Sequence, residues 1–529
     1  MPASFDLRSR PWIPVRFSGA EPPGDVGLTE LFLRAHEIAD ITVPVPPAAS
    51  GLWRVLYLIA SRITGLGDLD TLDGILPWKR ERREAFAARR FDPRAVEKYF
   101  TDHAAGFDLF HPARPWLQDA RLVAECPKST GINKLIIGRA AGNNLVWLSH
   151  HTDLAPRPVP AAEAAWYLLA WLYYGPSGKI TARTVDGTTE SNMTAGPLRS
   201  RISFHPLGRS MYESLIAGIP YPGRYEDGTD PDLAPWEDAE IAGPLGIPPN
   251  RGGLSGPLTG RFRHALLLTP SPDGTQVTDA RITWAWRKSA PEVRDPYLIY
   301  QTAKGKTVQY ARYAELERAL WRDLDALLLH DTGSGTARQP AVFTDLLAST
   351  PPAVAEALRV RAFGFDQDGK PVDRQWFTAS APPVLSMQET AGAAPCYRDG
   401  YDIRVTREAA ERVGSDLRNA LRRAWAAIND PGNSQGKART DAGQCPWLAP
   451  VLARYWAAAE DAFWQMVTRR EFTYPNNTFI QVALGAYDEV TGQHARRSPR
   501  VIRAVEKARG GILSSWARPQ HPPQEAFDG

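Results

Sequence analysis

The chain has 529 residues, a mass of 58.4 kDa and a formal net charge of +3. Hydrophobic residues make up 43% and charged residues 23% of the sequence, which excludes a disordered chain or a coiled coil and indicates a globular protein of two or three domains. A charge so close to neutral also excludes a polycation that coats nucleic acid indiscriminately, so any nucleic-acid surface must be local.

Membrane and secretory segments are not predicted. The longest purely apolar run, residues 164–174, has 11 residues, whereas a spanning helix needs about 20. The N-terminus lacks the apolar core of a signal peptide. Cys126, Cys396 and Cys445 are too few and too far apart for a disulfide framework. We therefore expect a cytoplasmic protein that does not associate with membranes.

The basic residues are unevenly divided between the two types. Only 11 of the 62 are lysine, which leaves 51 arginines. Arginine suits bidentate phosphate contacts and stacking on bases, and GC-rich coding produces the same excess. The composition alone leaves both explanations open.

The first part of the chain begins with helical patterns. Residues 28–38 and 51–63 have helical apolar spacing. Residues 79–90 form a charged helix, a pattern typical of a solvated face. Residues 161–174 predict a buried helix, which the pair Gly175-Pro176 ends.

The region that follows favours strands and loops. Residues 175–200 predict a long loop, and residues 261–269 and 281–286 predict strands of an antiparallel sheet. Residues 363–371 predict a hairpin, because Asp-Gly is a strong signal for a tight two-residue turn. The first three quarters of the chain therefore predicts a large mixed α/β body.

The last quarter has a helical period throughout. Four stripes of apolar residues lie within 410–428, 448–466, 476–492 and 501–512. The first stripe places apolar side chains on one helical face at Ala410, Val413, Leu417, Ala420, Leu421, Ala424 and Ile428. Four amphipathic helices predict a four-helix bundle. The predicted fold is α+β, with a mixed α/β domain over residues 1–395 and the bundle, with a frayed tail, over residues 396–529.

Motifs that carry enzyme chemistry are absent from the sequence. Neither a P-loop nor a GxSxG nucleophile elbow occurs. His150, His151 and Asp153 supply three metal-ligand side chains within four residues, but adjacent histidines usually diverge, which favours a surface loop. We therefore expect no enzyme, metal or cofactor; the alternative is a free-standing metal-dependent nuclease or hydrolase that uses these residues.

Several segments together resemble a known family. They are RPWIPV at residues 10–15, FHPARPWLQD at residues 110–119, the glycine-bearing loop after the helix at 161–174, and the terminal bundle. In order and spacing they resemble the large subunit of the type I-E CRISPR Cascade surveillance complex, the CasA family, over nearly the whole chain. No single motif is diagnostic, and the resemblance rests on their collinearity.

The resemblance implies a non-catalytic subunit of an RNA-guided complex. Such a subunit reads the protospacer-adjacent motif in double-stranded DNA, promotes duplex opening and R-loop formation, and helps recruit a helicase-nuclease in antiviral defence. The implied partners are the CRISPR guide RNA, the target DNA, the backbone, small and guide-end-capping subunits, and the helicase-nuclease. Guide pairing reads the sequence, and the protein reads only the short motif. A purely structural scaffold remains a further alternative.

The resemblance also implies particular site residues. By position, Gly175, Ser177, Gly178 and Lys179 correspond to a DNA motif-binding loop, although the family's loop can be richer in glycine. Small residues there let the backbone enter a minor groove about 6 Å wide.

A basic finger and a wedge hairpin are implied beside that loop. Arg281 is the nearest match to the finger, and Arg287 or Lys288 is the next choice. The wedge would be the hairpin turn, although the acidic Asp366 and Asp368 are unfavourable beside phosphates. The wedge residues are Gln367, Asp368, Gly369 and Lys370.

Two further surfaces follow from the resemblance. Trp147, Leu148 and Ser149 fall where the family has a loop that docks on guide RNA and neighbouring subunits. Arg418, Arg422 and Arg423 on the bundle would guide DNA strands through their phosphates. Some relatives carry paired cysteines that would hold zinc, and this chain lacks them.

Overall fold

Helices and antiparallel sheets both form in the chain, so the predicted α+β class is confirmed. A computed structural model describes residues 3–68, 74–142, 146, 148–289, 291–303, 307–329, 337–367, 373–388, 399–429, 445–495 and 498–513. The chain forms two compact units. The body comprises Met1–Arg318 with His330–Ser386, and the helical unit comprises Ala319–Leu329 with Met387–Gly529.

The helices differ greatly in length between the two units. In the body most are short, while those of the last quarter have 15 to 31 residues. In chain order they are α1 (Leu28–Leu33), α2 (Pro46–Thr64), α3 (Ile75–Ala88), α4 (Pro93–Asp102), α5 (Leu122–Glu125), α6 (Ile132–Leu135), α7 (Ala161–Tyr174), α8 (Met211–Gly218), α9 (Ser255–Thr259), α10 (Leu324–Leu328), α11 (Ala341–Thr344), α12 (Pro352–Ala355), α13 (Asp399–Asn429), α14 (Leu448–Arg469), α15 (Pro475–Ala495) and α16 (Pro499–Leu513).

The strands are short and pair antiparallel in small sheets. The sheet orders are β2-β1-β3, β14-β13-β7, β4-β9-β8, β11-β10-β12 and the pair β5-β6. The strands are β1 (Ile13–Phe17), β2 (Gly24–Val26), β3 (Ile38–Ile41), β4 (Val159–Pro160), β5 (Gly178–Val185), β6 (Thr188–Met193), β7 (Ile202–Leu207), β8 (His264–Pro270), β9 (Gln276–Trp284), β10 (Tyr300–Thr302), β11 (Gln309–Ala311), β12 (Ala337–Arg338), β13 (Arg359–Gln367) and β14 (Asp373–Ser380).

Helix α2 is the centre of the body. Every residue from Pro47 to Ser61 is buried, as expected for a helix that is packed on all sides. It packs against α7, α8, α9 and β13. The charge inside it is paired: Arg54 forms two hydrogen bonds to the carboxylate of Asp295, at 3.0 and 3.1 Å. Strands contribute to the same core, since all six residues of β7 are buried.

The predicted loop at residues 175–200 is wrong, because most of this segment forms the hairpin β5-β6. The hairpin packs on β9: the Thr283 hydroxyl donates to the Thr181 carbonyl at 2.9 Å, and Thr181 and Thr130 share a hydroxyl contact of 2.8 Å. Its polar residues show no clear apolar alternation, so sequence periodicity misses it. Gly178 and Lys179 therefore begin a strand.

The predicted terminal bundle is confirmed as four helices, α13 to α16. Helix α13 packs against each of the other three. The apolar stripe of α13 is buried from Ala410 to Ala424, as its spacing predicts. One segment joins these helices from an earlier part of the chain, since Ala319–Leu329 contains α10, which packs on α13.

Among the described residues, no helix combines the length and the apolar character that crossing a bilayer requires.

Candidate nucleic-acid interface

The predicted motif-binding loop begins where α7 ends, at a closely packed glycine. The Gly175 N–H donates to the Trp171 carbonyl at 2.9 Å, closing the last turn of the helix. A Cβ at Gly175 would lie 2.6 Å from the Trp171 carbonyl oxygen and 2.7 Å from Cε1 of His264. The backbone of the loop is therefore packed directly against these two residues.

A buried histidine holds the next residue of the loop. His264 lies on β8, and its Nε2 is 3.0 Å from the carbonyl oxygen of Pro176. Burial lowers the pKa of His264 to about 4, so its ring is neutral at pH 7. Because a carbonyl only accepts, Nε2–H is the donor and Nδ1 carries the lone pair.

The exposed part of the loop is Gly178 and Lys179. Ser177 is half-buried, whereas Gly178 and Lys179 are exposed. Gly178 has φ +128°, a conformation that favours glycine, and no atom lies within 4 Å of where its Cβ would be. Lys179 pairs with Asn192 across the hairpin. The loop thus presents bare backbone and one cation to the surface.

A buried arginine anchors the hairpin β5-β6. Arg183 is fully buried, and its guanidinium donates to Asp119 at 2.8 Å, to Glu125 at 2.7 Å and to the Trp284 carbonyl at 3.1 Å. Charge-assisted bonds of this kind are strong and directional. The strand that begins at Gly178 is therefore fixed to β9 and α5 a few residues further along.

The candidates for the basic finger are placed differently from one another. Arg281 lies inside β9, not at the end of a strand, and its Nε–H donates to the Cys126 carbonyl at 2.9 Å. Arg287 is exposed, with its guanidinium 5.3 Å from the Trp284 ring centroid. Lys288 is exposed directly after it. The half-buried Arg281 is thus bonded to the protein backbone, while Lys288 is the more exposed cation.

The hairpin predicted as a wedge is formed by β13 and β14. Gln367 is the last residue of β13, directly before the turn, and its side chain is buried; its amide oxygen accepts from the Ser200 N–H at 3.2 Å and its Nε2 donates to Asp373 at 2.7 Å. A register shift between Asp366 and Gln367 accompanies this placement. The placement corrects the expectation that Gln367 is at the tip. Asp368, Gly369 and Lys370 lie outside the described residues.

The loop and the turn end of the hairpin border one cleft. Arg199 links them, since its guanidinium donates to the Tyr174 carbonyl at 3.1 Å and pairs with Asp373 at 2.8 Å. The cleft is lined by Gly175, Pro176, Arg199, Gln367, Asp373, Lys134 and Arg139, among others. The structure therefore brings together two segments about 190 residues apart in the sequence.

Sequence reasoning missed three cations of this cleft, Lys134, Arg139 and Arg199. Burial lowers the pKa of Lys134, although the charges of Asp373 and Asp153 act in the opposite direction. One signal was available: Lys134 is among only 11 lysines in the chain. The arginines gave no signal, because arginine is abundant throughout.

The predicted docking loop exposes apolar side chains. Leu148 is 81% exposed at φ +62°, and Leu154 is 96% exposed. The Ser149 N–H donates to the Val146 carbonyl at 3.0 Å, and Trp147 lies outside the described residues. The loop thus presents two apolar side chains to solvent.

The same loop contains the residues of the metal-site alternative. Both oxygens of Asp153 are occupied, by the Asn133 amide at 3.0 Å and the Gly142 N–H at 2.7 Å, and these bonds lower its pKa. Within the described part of the chain, no group of three or more His, Cys, Asp or Glu side chains is placed to hold a metal ion. The metal-dependent nuclease or hydrolase therefore gains no support.

Arginines on α13 form the last predicted surface. Arg418, Arg422 and Arg423 are all exposed, while Leu417 and Leu421 between them are buried. None of the three arginines forms an ion pair with another described residue. They make an exposed basic stripe on the helical unit.

Comparison with known proteins identifies the family. Residues 6–481 match the family described as CRISPR-associated protein Cse1, and the chain belongs to this family. The resemblance to CasA drawn from the sequence is thereby confirmed.

Individual relatives agree with this assignment. The CRISPR-associated protein CasA/Cse1 of Thermus thermophilus is 30% identical over 348 residues, which is 63% of this chain and 62% of that relative, under two thirds of its length. A chain of a solved structure titled "CRISPR RNA-guided surveillance complex" is 46% identical, with a TM-score of 0.85 over 97% of this chain and all of that one. Thermobifida fusca Cse1 shares the fold, with a TM-score of 0.74 at 16% identity over 97% of this chain and 98% of that one.

Proposed function

We propose that this chain is the non-catalytic large subunit of a type I-E CRISPR surveillance complex and reads the protospacer-adjacent motif of double-stranded DNA. The observation that carries the proposal is the cleft in which the glycine loop and the turn end of the hairpin β13-β14 meet through Arg199 and Asp373. The family assignment and the surveillance complex at 46% identity support it.

Motif reading would take place at Gly178 and Lys179. An exposed glycine with no side chain allows close approach of the backbone to the floor of a minor groove, where base edges offer mostly acceptors. The exposed Lys179 would contact a phosphate at the groove edge. Lys288 would add a second cation, in place of the half-buried Arg281.

Duplex opening would depend on the hairpin β13-β14. Its turn residues, Asp368, Gly369 and Lys370, would enter the base stack beside the motif, where unstacking costs a few kcal/mol per step. Gln367 would act as a positioning residue, because its bonds to Ser200 and Asp373 fix the strand ends on either side of the turn.

The remaining surfaces would bind the other partners. The exposed apolar loop around Leu148 would dock on the guide RNA and a neighbouring subunit. The stripe of Arg418, Arg422 and Arg423 would guide DNA strands along the helical unit. The assembled complex would present its opened target to a helicase-nuclease in the cytoplasm.

The test is target binding by a reconstituted guide-RNA complex, with and without this chain, on matched duplexes whose motif is permissive or scrambled. We expect tighter binding only with the chain and only for the permissive motif, and a loss of about tenfold for Lys179→Ala, equal to about 1.4 kcal/mol. Lys98→Ala is the matched control, since Lys98 is an exposed lysine on α4. A chain that joins the complex without motif preference would be a scaffold, and one that does not join would refute the proposal.

A further inference from the structure

The last residue of α7, Tyr174, lies directly before the glycine loop and is buried. Its ring packs against the ring of Phe365 in β13, with the two centroids 6.0 Å apart. Phe365 lies two residues before Gln367, at which β13 ends. One aromatic contact therefore joins the residue before the loop to the strand that leads into the turn of the hairpin.

The carbonyl of Tyr174 is linked to the other strand of the hairpin. It accepts from the guanidinium of Arg199 at 3.1 Å, and the same guanidinium pairs with Asp373 at 2.8 Å. Asp373 is the first residue of β14, and Arg199 is almost completely buried. Charge-assisted bonds of this kind are directional, so the bridge fixes the start of β14 relative to the end of α7.

The hydroxyl of Tyr174 is linked to the third strand of the same sheet. It donates to Oγ of Ser50 in α2 at 2.9 Å, and Ser50 Oγ accepts a second bond, of 2.8 Å, from Arg54. Because a hydroxyl oxygen has two lone pairs, the Ser50 hydrogen is left to donate to Oγ of Ser203, 3.2 Å away. Ser203 lies on β7, where it pairs with Phe363 of β13. The chain of hydroxyls thus runs in one direction, from α7 to the sheet that contains the hairpin.

We propose that Tyr174 is a positioning residue that holds the hairpin β13-β14 in register with the glycine loop. Its three contacts start from one residue and end on all three strands of the sheet β14-β13-β7. A binding constellation must be held to within about 0.5 Å by side chains that packing and hydrogen bonds lock in place. The buried side chain of Tyr174 is not available to DNA, so its effect is on where the hairpin turn meets the base stack. This role rests on the proposed function, in which the loop reads the motif and the hairpin opens the duplex.

The first experiment separates motif reading from duplex opening in the reconstituted guide-RNA complex. Motif reading is the ratio of the Kd values for a scrambled and a permissive motif, on duplexes that do not match the guide. Opening is the rate of the fluorescence rise on a matched duplex that carries 2-aminopurine beside the motif. Tyr174→Phe keeps the ring and the carbonyl and removes only the hydroxyl. We expect it to slow opening about fivefold, as the loss of one hydrogen bond predicts, and to leave the motif ratio unchanged.

A second variant tests the next link of the hydroxyl chain. Ser50→Ala removes the acceptor for Tyr174, while Arg54 keeps its bond of 2.9 Å to the carbonyl of residue 50. We expect the same slowing from Ser50→Ala and from the double variant, because both substitutions break one chain and their effects do not add. Ser50→Ala decides the matter if Tyr174→Phe does not fold.

The matched control is Tyr173→Phe. Tyr173 is the neighbouring buried tyrosine of α7, and its hydroxyl donates to the Leu258 carbonyl in α9 at 2.7 Å. Its loss also removes one buried hydrogen bond, but one that does not lead to the hairpin sheet. Thermal melting of each variant measures the loss of stability, so a defect that merely follows stability would appear in Tyr173→Phe as well.

The possible failures are distinguishable from one another. Opening at the wild-type rate in both Tyr174→Phe and Ser50→Ala, or a slowing that Tyr173→Phe shares, would overturn this role of Tyr174 and leave motif reading intact. A changed motif ratio with normal opening would also overturn it, because the hydroxyl would then act on the loop alone. A wild-type complex without motif preference would overturn the proposed function and this role together.

Discussion

Arginine has opposite roles in the two units of the molecule. In the body, Arg54, Arg82 and Arg183 are among the largest fully buried side chains. On α13 of the helical unit, Arg418 and Arg422 remain at the surface while the apolar residues between them are buried. In these positions the same residue type lies inside one unit and on the surface of the other.

The reason lies in how each unit provides hydrogen-bond partners for its buried backbone groups. In a long helix, the backbone carbonyls accept hydrogen bonds from N–H groups of the same helix. The core of the bundle can therefore be built from apolar side chains. The body contains much irregular chain, whose buried carbonyls need donors from elsewhere. Arg82 donates to the carbonyls of Ile216 and Ala217, and Arg183 donates to that of Trp284. A guanidinium with five donors is well suited to this task.

The largest expected effect is the loss of a buried arginine. Arg54→Ala leaves Asp295 uncompensated in the core, and removal of one partner of a buried pair costs about 3–5 kcal/mol. Guanidinium unfolding followed by circular dichroism measures the change. Arg418→Ala is the matched surface control and should stay within about 0.5 kcal/mol. Equal effects of the two substitutions would remove the contrast between the units.

A methyl group at the start of the glycine loop should have the next largest effect. In Gly175→Ala the new Cβ meets Trp171 and His264 at under 2.8 Å, and overpacking of this kind costs up to about 3 kcal/mol. Thermal melting is the measurement. Gly243→Ala is the control, because nothing lies within 4 Å of its added Cβ. A melting temperature unchanged by Gly175→Ala would show that the backbone of the loop shifts to accommodate the methyl group.

Acid should destabilise the body through His264. Its pKa is about 4 when folded and 6.5 in an ordinary environment, so the unfolded chain binds more protons between these values. The stabilisation that comes from the neutral His264 ring is complete above pH 6.5 and is lost as the pH falls toward 4. The free energy of unfolding should fall by about 2 kcal/mol between pH 6.5 and 5. Denaturant midpoints of the wild type and of His264→Gln at pH 7.5 and 5.0 test it. The pH dependence should be smaller in the variant; an equal one would show that His264 is not its source.

The smallest effect on stability is expected at the basic stripe. Replacing Arg418, Arg422 and Arg423 together by alanine should change the unfolding free energy by less than about 0.5 kcal/mol per site. In the reconstituted complex the same variant should reduce the salt dependence of DNA binding, by about 0.7 in the logarithmic slope for each lost contact to a single strand. Arg454→Ala, an exposed arginine of α14 paired with Glu489, is the control. An unchanged slope would argue against strand guidance.

The sequence predicts the helical unit far better than the body. Residues such as Val413, Leu417 and Leu421 repeat at three and four positions, and burial follows that period directly. The hairpin β5-β6 has no such pattern, because it is held by Arg183 and by threonine contacts to distant segments. Long-range polar bonds leave no local periodicity, so the sequence pattern predicts a loop where the hairpin forms.

The candidate site can be predicted by position, but not residue by residue. Gly178, Lys179 and Lys288 are exposed as a DNA contact requires. Arg281 and Gln367 were predicted to contact DNA as well. Their side chains instead bond to the backbone of Cys126 and Ser200. Which way a side chain faces depends on strand register and bulges, which a single sequence does not specify.

The segment Ala319–Leu329 affects how the helical unit can be produced by itself. Trp321 is fully buried there, and its ring centroid lies 4.7 Å from that of Phe463 in α14. Arg322 pairs with Glu411 of α13 at 2.7 Å. A fragment that contains only the C-terminal helices would lack the segment Ala319–Leu329 and would expose Phe463 to solvent. A recombinant fragment in which a designed linker joins residues 319–329 to the start of α13 would retain the complete core.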